Sequence, residues 1–215
     1  MNSYNETFKT WNKIASLYEE KFMDLDLYNH TYDFFFEALR KNNPLLLDAG
    51  CGPGNISRYI LNRNPCSRIL GIDIAPKMVA LSKKNNPAAD FSVMDLRAID
   101  QLQGRYDGII CGFGLPYLSE TDVEKFIFDC HNLIEENGLL YLSFVPGDPR
   151  FSGYKTGTEG DRVFFYFHSA ENLRNQFTKT GFQELKCFEI PFKRSETETE
   201  IHTVIIAKKN KEQPE

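Results

Sequence analysis

One stretch, LLLDAGCGPGN at residues 45–55, constrains the fold of this chain more than any other. Its apolar run ends at Asp48, and glycines then occupy alternate positions, at Gly50, Gly52 and Gly54. A helical pattern of apolar residues follows directly. This order predicts a buried parallel strand, a tight turn and the start of a helix. Because glycine lacks a Cβ atom, such a turn lets a ligand approach the backbone beside the unpaired N–H groups of the helix.

The spacing of the glycines separates two classes of ligand. Dinucleotide sites use G-x-G-x-x-G, with the pyrophosphate at the helix N-terminus. Here an acid, Asp48, stands two residues before a G-x-G-x-G sequence. A carboxylate at that position repels a pyrophosphate but suits a cationic or zwitterionic ligand. The pattern resembles the first motif of class I S-adenosylmethionine-dependent methyltransferases, and the alternative is a glycine-rich turn with a purely structural role.

The composition is that of a soluble globular protein, and it limits the partners. At 215 residues the chain suits one domain with a sizeable core. Its net charge of −5 creates no field that attracts nucleic acid or an anionic membrane, so neither is predicted as a partner. The five cysteines include no C-x-x-C pair, which argues against disulfides or structural zinc and favours a reducing compartment. Since neither a signal peptide nor a membrane-spanning run is visible, we expect a cytoplasmic protein.

The sequence predicts a leading segment, a main domain and a short tail. Aromatic residues at helical spacing predict amphipathic helices at about 5–23 and 28–41, and residues 1–43 are interpreted as a helical lid over a cofactor site. Core packing is the alternative role for these rings. Residues 44–208 are predicted to form the main domain, and the charged residues 209–215 a disordered tail.

Strand patterns alternate with helix patterns from residue 44 onward, which predicts an α/β fold with a mainly parallel sheet. We expect strands at about 45–49, 68–73, 90–94, 106–111, 139–145, 182–190 and 201–208. We expect helices at about 55–63, 76–85, 120–138 and 170–179, the third opened by Ser119 with Asp122 and closed by Gly138. The last two strands have no helix between them and must return antiparallel. This pattern resembles the doubly wound, Rossmann-like methyltransferase fold, a mainly parallel seven-stranded sheet whose last strand is antiparallel.

The segment GIDIAPKM at residues 71–78 resembles the second motif of the same family. The resemblance implies that Asp73 accepts both ribose hydroxyls of the cofactor and that Ile74 and Met78 lie against its adenine. The alternative for Asp73 is an acid at a helix N-terminus, stabilised by the helix dipole.

Two further strand ends are similar to cofactor-binding positions of the family. The resemblance implies that Asp95 accepts from the adenine amino group, with Met94 and Leu96 beside it. It also implies that Cys111 and Gly112, at the end of the next strand, lie beneath the methionine part of the cofactor. An isolated surface-turn acid is the alternative for Asp95.

The segment WNKIASLY at residues 11–18 resembles the lead-in helix of small-molecule methyltransferases, W/F-D-x-x-A-x-x-Y. There the tyrosine closes on the carboxylate end of the cofactor, a role that Tyr18 inherits, although Asn12 replaces the usual acid. The motifs together imply a cofactor site formed by Tyr18, Asp48, Ala49, Gly50, Cys51, Gly52, Asp73, Ile74, Met78, Met94, Asp95, Leu96, Cys111 and Gly112.

On the acceptor side, Tyr117 matches the position at which many small-molecule members have a histidine facing the acceptor. His168 precedes a predicted helix at the acceptor rim, so His168 and Tyr117 are the candidate catalytic residues. The alternative for His168 is a partly exposed residue beside a helix cap. Trp11 and Tyr166 complete an aromatic substrate pocket, whereas His202 is predicted to be structural. No metal site is predicted, because methyl transfer needs no metal and no cluster of ligand residues is evident.

The resemblance implies a methyltransferase that moves a methyl group from S-adenosylmethionine to O or N of a small-molecule acceptor and releases S-adenosylhomocysteine. A neutral or aromatic acceptor is favoured, and we expect a monomer or homodimer. Two alternatives stay open. One is an NAD(P)-dependent oxidoreductase, which Asp48 and the glycine spacing disfavour. The other is a non-catalytic nucleoside-binding regulatory protein with the same fold.

Overall fold

The computed structural model describes residues 3–157 and 160–210. The predicted disordered tail lies mostly outside the described residues, which stop before residue 211; its first residue, Lys209, is the last of a strand. No helix within the described ranges is long and apolar enough to cross a membrane.

Seven strands form the main sheet, and two more form a separate hairpin. Their bounds are β1 Leu45–Ala49, β2 Arg68–Asp73, β3 Asp90–Val93, β4 Tyr106–Gly112, β5 Ile134–Phe144, β6 Gly153–Thr156, β7 Arg162–Phe165, β8 Phe182–Lys193 and β9 Thr199–Lys209. The order across the main sheet is β3-β2-β1-β4-β5-β9-β8. β9 runs antiparallel to β5 and β8, and the other pairs are parallel. The predicted seven-stranded sheet with an antiparallel last strand is confirmed.

Helices cover both faces of this sheet. Their bounds are α1 Ser3–Lys13, α2 Ala15–Phe22, α3 Asn29–Leu39, α4 Asn55–Arg63, α5 Pro76–Asn85, α6 Glu120–Leu133 and α7 Ala170–Lys179. Successive strand residues point to opposite faces. Leu46 and Tyr141 accordingly pack in the apolar layer of α3 and α4, whereas Leu47 and Leu142 pack in the layer of α6 and α7. Both faces are therefore occupied by core, and the ends of the strands remain for a site.

The predicted leading helix of residues 5–23 is two helices in the structure. The break between α1 and α2 falls at Ile14, where φ is −93° and ψ is 14°. α1 is fixed to the main domain through side chains. Thr7 Oγ1 accepts a 2.9 Å hydrogen bond from the N–H of Phe164 in β7, and Asn12 Oδ1 accepts one of 2.9 Å from the N–H of Lys77. Asn12 thus satisfies an unpaired donor in the first turn of α5.

The helix opened by Ser119 begins as predicted but ends earlier. Ser119 accepts from the N–H of Asp122, which confirms the cap. The prediction of Gly138 as the C-cap was wrong, because α6 ends at Leu133 and β5 follows at once. The left-handed residue is Asn137, with φ of 66°. Gly138 is needed for another reason, since a Cβ atom there would lie 2.7 Å from the carbonyl oxygen of Asp107.

Candidate functional site

A cavity of about 560 Å³ opens at the carboxyl ends of β1, β2 and β4. The order β2-β1-β4 reverses the direction of winding between β1 and β4, and open α/β sheets bind ligands at such a switch point. One wall, which we call the turn wall, consists of Gly50, Gly52, Asp73, Ile74, Met78, Asp95 and Leu96. These residues follow or end β1, β2 and β3, so the parallel sheet itself brings them together.

The glycine turn after β1 gives the turn wall its backbone surface. Gly50 and Gly52 have φ of 77° and 52°, in the left-handed region that other residues rarely adopt. The N–H groups of Gly50 and Cys51 both donate to the carbonyl of Ile72, at 2.8 and 2.9 Å, which holds the turn against β2. A Cβ atom on Gly52 would point at the ring of Tyr18, 3.7 Å away, across the space in front of the turn. The turn is therefore a cradle closed by α2.

Asp73 joins the glycine turn to the start of α5. Its Oδ2 accepts a 3.0 Å hydrogen bond from the N–H of Gly52, and its Oδ1 accepts one of 2.8 Å from the N–H of Ala75. Burial raises the pKa of this carboxyl, while the two backbone donors lower it. Each carboxylate oxygen keeps a second lone pair, so the group can accept two further hydrogen bonds from a ligand in the cavity.

Two buried polar atoms at the site have no hydrogen-bond partner among the described residues: Oδ1 of Asp48 and Nε1 of Trp11. Asp48 lies beneath the turn, where its Oδ2 accepts a 2.6 Å hydrogen bond from Ser57 and burial raises its pKa to about 6. Trp11 lines the cavity. Buried polar groups are seldom left unpaired. The charge of Asp48 behind the turn would favour the cationic end of a ligand, and Trp11 Nε1 offers a donor beside the cavity.

Asp95 lines the cavity but already has a partner. The guanidinium of Arg97 lies on its carboxylate with Nε–O distances of 3.0 and 3.1 Å, and the backbone N–H of Arg97 also donates to it. Arg97 in turn lies 4.0 Å from the centre of the Tyr4 ring. The Asp95 carboxylate can accept a further hydrogen bond, but Arg97 fixes its position and neutralises part of its charge.

Three aromatic side chains face the turn wall from the leading helices and the end of β4. The ring centre of Trp11 lies 5.2 Å from that of Tyr117 and 5.5 Å from that of Tyr18, both in edge-on geometry. Burial raises the pKa of Tyr18 to about 12 and that of Tyr117 further. Both phenols therefore stay protonated at neutral pH and can donate hydrogen bonds.

A second wall of the cavity is built from residues far apart in the sequence. We call it the hairpin wall; it comprises Tyr28 from the segment before α3, Phe113 after β4, and Phe192, Glu200 and His202 from the end of the β8–β9 hairpin. Phe113 has φ of 56°, a strained conformation for a bulky residue. Its ring centre lies 4.9 Å from that of His202 and 5.3 Å from that of Tyr28.

The chain matches known methyltransferases. A family profile described as "Methyltransferase domain" matches residues 46–138, the part that contains the glycine turn. The solved structures that resemble this chain include an S-adenosylmethionine-dependent methyltransferase from Methanosarcina mazei, with a TM-score of 0.71 and 18% identity over 87% of this chain and 100% of that one. Magnesium protoporphyrin IX methyltransferase from Synechocystis, solved with bound S-adenosylmethionine, has a TM-score of 0.65. It is 21% identical over 86% of this chain and 80% of that one.

Residues 46–138 match a methyltransferase domain, and the fold is that of solved S-adenosylmethionine-dependent methyltransferases.

The curated proteins that resemble this chain are distant in sequence. A putative methyltransferase of Invertebrate iridescent virus 6 is 26% identical over 63% of this chain. Demethylmenaquinone methyltransferase of Thermus thermophilus is 26% identical over 53%, and an uncharacterized methyltransferase of Oceanobacillus iheyensis is 22% identical over 82%. The chain spans 49%, 52% and 88% of these three proteins, so about half the length of the first two.

The site residues predicted from the sequence divide into those that line the cavity and those that do not. Twelve of them line the cavity: Trp11, Tyr18, Gly50, Cys51, Gly52, Asp73, Ile74, Met78, Asp95, Leu96, Gly112 and Tyr117. Asp48, Ala49 and Cys111 are buried directly behind the turn and do not line it; burial raises the pKa of the Cys111 thiol to about 12. Met94 is likewise absent from the lining.

Two predicted acceptor residues lie elsewhere in the structure. His168 is buried beside α6 and α7, where its Nε2 forms a 2.9 Å hydrogen bond with the carbonyl of Leu115 and burial lowers its pKa. Tyr166 packs with its ring against Phe164 and Tyr4, with centres 4.6 and 6.2 Å apart. The β6–β7 hairpin turns this segment toward α1, so neither side chain lines the cavity.

The residues that sequence reasoning missed are those of the hairpin wall. His202 was predicted to be structural, yet it lines the cavity. The only local signal was the alternation of Glu200 and His202, which puts both on one face of a strand. No group of three or more metal-ligating side chains is found within the described part of the chain.

Proposed function

We propose that this chain binds S-adenosylmethionine in the turn wall and transfers its methyl group to O or N of a small-molecule acceptor held at the hairpin wall. The observation that carries the proposal is the pairing of the Gly50–Gly52 cradle with two unpartnered polar atoms, Asp48 Oδ1 and Trp11 Nε1. The cofactor supplies a methyl group on a positively charged sulfur, an electrophile that needs no further activation.

Residues in and beside the turn wall have distinct roles in this proposal. Asp73 accepts the two ribose hydroxyls, and Ile74 and Met78 pack on the adenine, as the family resemblance implies. The buried charge of Asp48 attracts the ammonium end of the cofactor through the glycine turn. Trp11 Nε1 donates to an oxygen of the ligand.

The remaining contribution of the protein is alignment and exclusion of water. The rings of Trp11, Tyr18 and Tyr117 close the cavity above the turn, which keeps the reacting atoms in line and dry. The leading segment 1–43 is proposed to open and close over the site, with α2 as its moving part. Residues 44–208 form the catalytic domain in this proposal.

The names of relatives support a small-molecule acceptor, and we propose a cytoplasmic location. These relatives include demethylmenaquinone methyltransferase and, over 37% of this chain at 34% identity, trans-aconitate 2-methyltransferase of Escherichia coli. We propose that the protein acts as a monomer or homodimer without nucleic acid. Lys21, Lys193 and Arg194 line the mouth of the cavity, and an acceptor with a negative group would be drawn toward them.

Calorimetry with S-adenosylmethionine, S-adenosylhomocysteine and NAD tests the proposed cofactor. We expect both sulfur nucleosides to bind and NAD not to bind, because Asp48 and the glycine spacing disfavour a pyrophosphate. Binding of NAD without either sulfur nucleoside would instead support the oxidoreductase alternative. Binding of the nucleosides with no S-adenosylhomocysteine formed from any acceptor would support the regulatory alternative.

A further inference from the structure

Three side chains of the hairpin wall are linked by hydrogen bonds at the surface of the cavity. Oη of Tyr28 lies 2.6 Å from Nδ1 of His202, and Nε2 of His202 lies 3.1 Å from Oε2 of Glu200. All three residues line the cavity. Tyr28 and His202 are each only 6% exposed, so the hydrogen bond between them is shielded from bulk water, while that to Glu200 is partly buried.

The partners of His202 decide where its proton sits. A carboxylate accepts hydrogen bonds and does not donate them, so Nε2 of His202 must carry the hydrogen that it shares with Glu200. In a neutral imidazole the other nitrogen then has a free lone pair. Nδ1 therefore accepts from the hydroxyl of Tyr28. The order acid, imidazole and hydroxyl is the order by which a carboxylate orients a histidine to take a proton.

The surroundings of His202 keep it neutral until a proton arrives. The ring of Phe192 stacks on the imidazole with centres 4.6 Å apart and an angle of 14°. Burial lowers the pKa of His202, with the hydrogen bond and charge of Glu200 raising it and Arg194 lowering it. Arg194 lies 3.6 Å from Glu200, and its positive charge offsets part of the carboxylate charge.

We propose that Tyr28, His202 and Glu200 form a proton relay, which we call the hairpin relay, and that it receives the proton of a phenol-type hydroxyl acceptor. The inference rests on the proposed methyl transfer and names its acceptor class and proton acceptor. Tyr28 touches the acceptor and is the catalytic residue of the relay. His202 and Glu200 act through it as positioning residues.

The step balances in atoms and charge. The acceptor oxygen forms a bond to the methyl carbon of the sulfonium donor as the bond from that carbon to sulfur breaks, and sulfur keeps the electron pair. The acceptor hydroxyl gives its proton to Oη of Tyr28, and Tyr28 gives its own proton to Nδ1 of His202. The imidazolium that results is paired with Glu200, and it returns to neutral by losing a proton to solvent after the product leaves.

A phenol fits this wall better than the other common acceptors. A carboxylate acceptor is already ionised at neutral pH and has no proton for the relay to take. A phenol has a pKa near 10, so it needs a base at neutral pH. Its ring also matches the faces of Phe113 and Phe192, which lie beside His202. An aromatic amine is the competing class, and the turnover test below separates the two.

The first experiment reads the tautomer of His202 and requires no acceptor. Histidine labelled with ¹⁵N is incorporated into the protein, spectra are recorded with S-adenosylhomocysteine at pH 8, and the His202 signals are assigned with His202→Phe. We expect a protonated Nε2 and an unprotonated Nδ1. Glu200→Gln should shift this equilibrium, while Glu200→Asp should preserve it. A protonated Nδ1 in the wild type would overturn the relay, because Tyr28 could then not pass on a proton.

The second experiment measures turnover with a graded series of acceptors. S-adenosylhomocysteine formation is followed with 4-methylphenol, 4-chlorophenol and 4-nitrophenol, and with 4-methylaniline as the amine. We expect Tyr28→Phe to slow the methylation of 4-methylphenol by roughly 10²–10⁴-fold, the range for loss of a general base. The loss should shrink toward 4-nitrophenol, which ionises without help. Tyr59→Phe is the matched control, since its hydroxyl donates to Asp33 at 2.7 Å and lies outside the cavity lining.

The outcomes separate this inference from the function on which it rests. A wild-type protein that fails to bind S-adenosylmethionine contradicts the proposed function. A wild type that binds it but methylates the aniline and none of the phenols overturns only the acceptor class and the relay. Equal losses along the phenol series in Tyr28→Phe also overturn the relay, because a merely structural tyrosine would not sense the acidity of the acceptor.

Discussion

The turn wall and the hairpin wall bound one cavity but are built in different ways. The turn wall is made of short segments, each at the end of a neighbouring parallel strand, with the Gly50–Gly52 turn and Asp73 held by backbone hydrogen bonds. The hairpin wall is made of single side chains such as Tyr28, Phe113 and His202, held by ring packing and side-chain hydrogen bonds.

This difference has a physical consequence. A wall made of backbone tolerates few changes, because its shape depends on φ values that only glycine adopts easily. A wall made of side chains changes its chemistry with each substitution while the sheet stays intact. We therefore infer that the turn wall fixes the cofactor and the hairpin wall selects the acceptor, and variants of the two walls should affect different measurements.

The largest effect is expected from Asp73→Ala. In the proposed function, Asp73 accepts two charge-assisted hydrogen bonds from the ribose, each worth roughly 1.5–3 kcal/mol. Their loss should raise the Kd for S-adenosylhomocysteine by about 10²-fold or more. Phe192→Ala, in the hairpin wall, should leave that Kd within about twofold. Calorimetry of both variants measures the contrast. An equal loss of S-adenosylhomocysteine affinity in the two variants would show that both walls bind the cofactor.

Asp48→Asn should move stability and cofactor binding in opposite directions. The wild-type carboxyl has its pKa raised to about 6 from an ordinary 3.8, so the folded state holds a proton that the unfolded state releases between these values. Stability of the unliganded wild type therefore falls as pH rises from about 4 to 6 and stays lower above that. The variant lacks this penalty and should be more stable at pH 8 by on the order of 1–3 kcal/mol.

The same substitution should weaken S-adenosylhomocysteine binding by roughly tenfold, because it removes the charge that we propose attracts the ammonium end. Denaturant titration without ligand and calorimetry with it give the two quantities. A variant that loses stability at pH 8 would contradict the assignment of an uncompensated buried carboxylate.

The next largest effect is expected in the pH dependence of turnover, which should depend on His202 of the hairpin wall. Turnover of a phenol requires neutral His202, whose pKa lies below its ordinary 6.5. Turnover should therefore be level above pH 6.5 and fall as pH drops through the lowered value, by about tenfold per pH unit once below it. The groups that face this relay are Tyr28, Glu200 and Arg194, with Lys155 of β6 near Glu200.

Removing the carboxylate should displace this limb of the profile. Because Glu200 raises the pKa of His202, Glu200→Gln should move the fall in turnover to lower pH while reducing the level above it. Comparison of the two rate profiles, with S-adenosylhomocysteine affinity measured at each pH, gives the result. An unchanged limb in the variant would mean that another group titrates.

The smallest expected effect is in the leading helices. α2 carries Tyr18 and Phe22 of the cavity lining and is held to α5 by a 2.6 Å hydrogen bond between Glu19 and Asn85, whereas α1 is fixed to β7. Hydrogen exchange should slow in α2 by several-fold when S-adenosylhomocysteine binds, with little change in α1. Equal protection of α2 in both states would count against its proposed role as a lid.

The fold and the turn wall could both be predicted from the sequence, and for the same reason. The strand ends carry local signals, such as glycines at alternate positions and an acid at Asp73, and the parallel sheet assembles them without further information. The bounds of β1 and β2 were predicted from these patterns, and the antiparallel last strand was implied by the family resemblance; both are confirmed.

The hairpin wall could not be predicted, because its contacts depend on packing between distant segments. Nothing near Tyr28 or His202 in the sequence indicates that they meet at 2.6 Å. His168 illustrates the converse. A histidine before a helix cap was expected at the acceptor rim, but the β6–β7 hairpin turns that segment away from the cavity. The imidazole of His168 instead forms a hydrogen bond with the carbonyl of Leu115.

The place of β9 in the sheet also governs how the chain can assemble as it is synthesised. β8 pairs only with β9 among the strands of the main sheet, and β9 fills the gap beside β5. The edge of β5 therefore stays open, and β8 unpaired, until residues 199–209 have emerged. Exposed strand edges of this kind are prone to pair with other chains. The completed hairpin thus closes the last open edge of β5 at the moment that it brings Glu200 and His202 to the cavity.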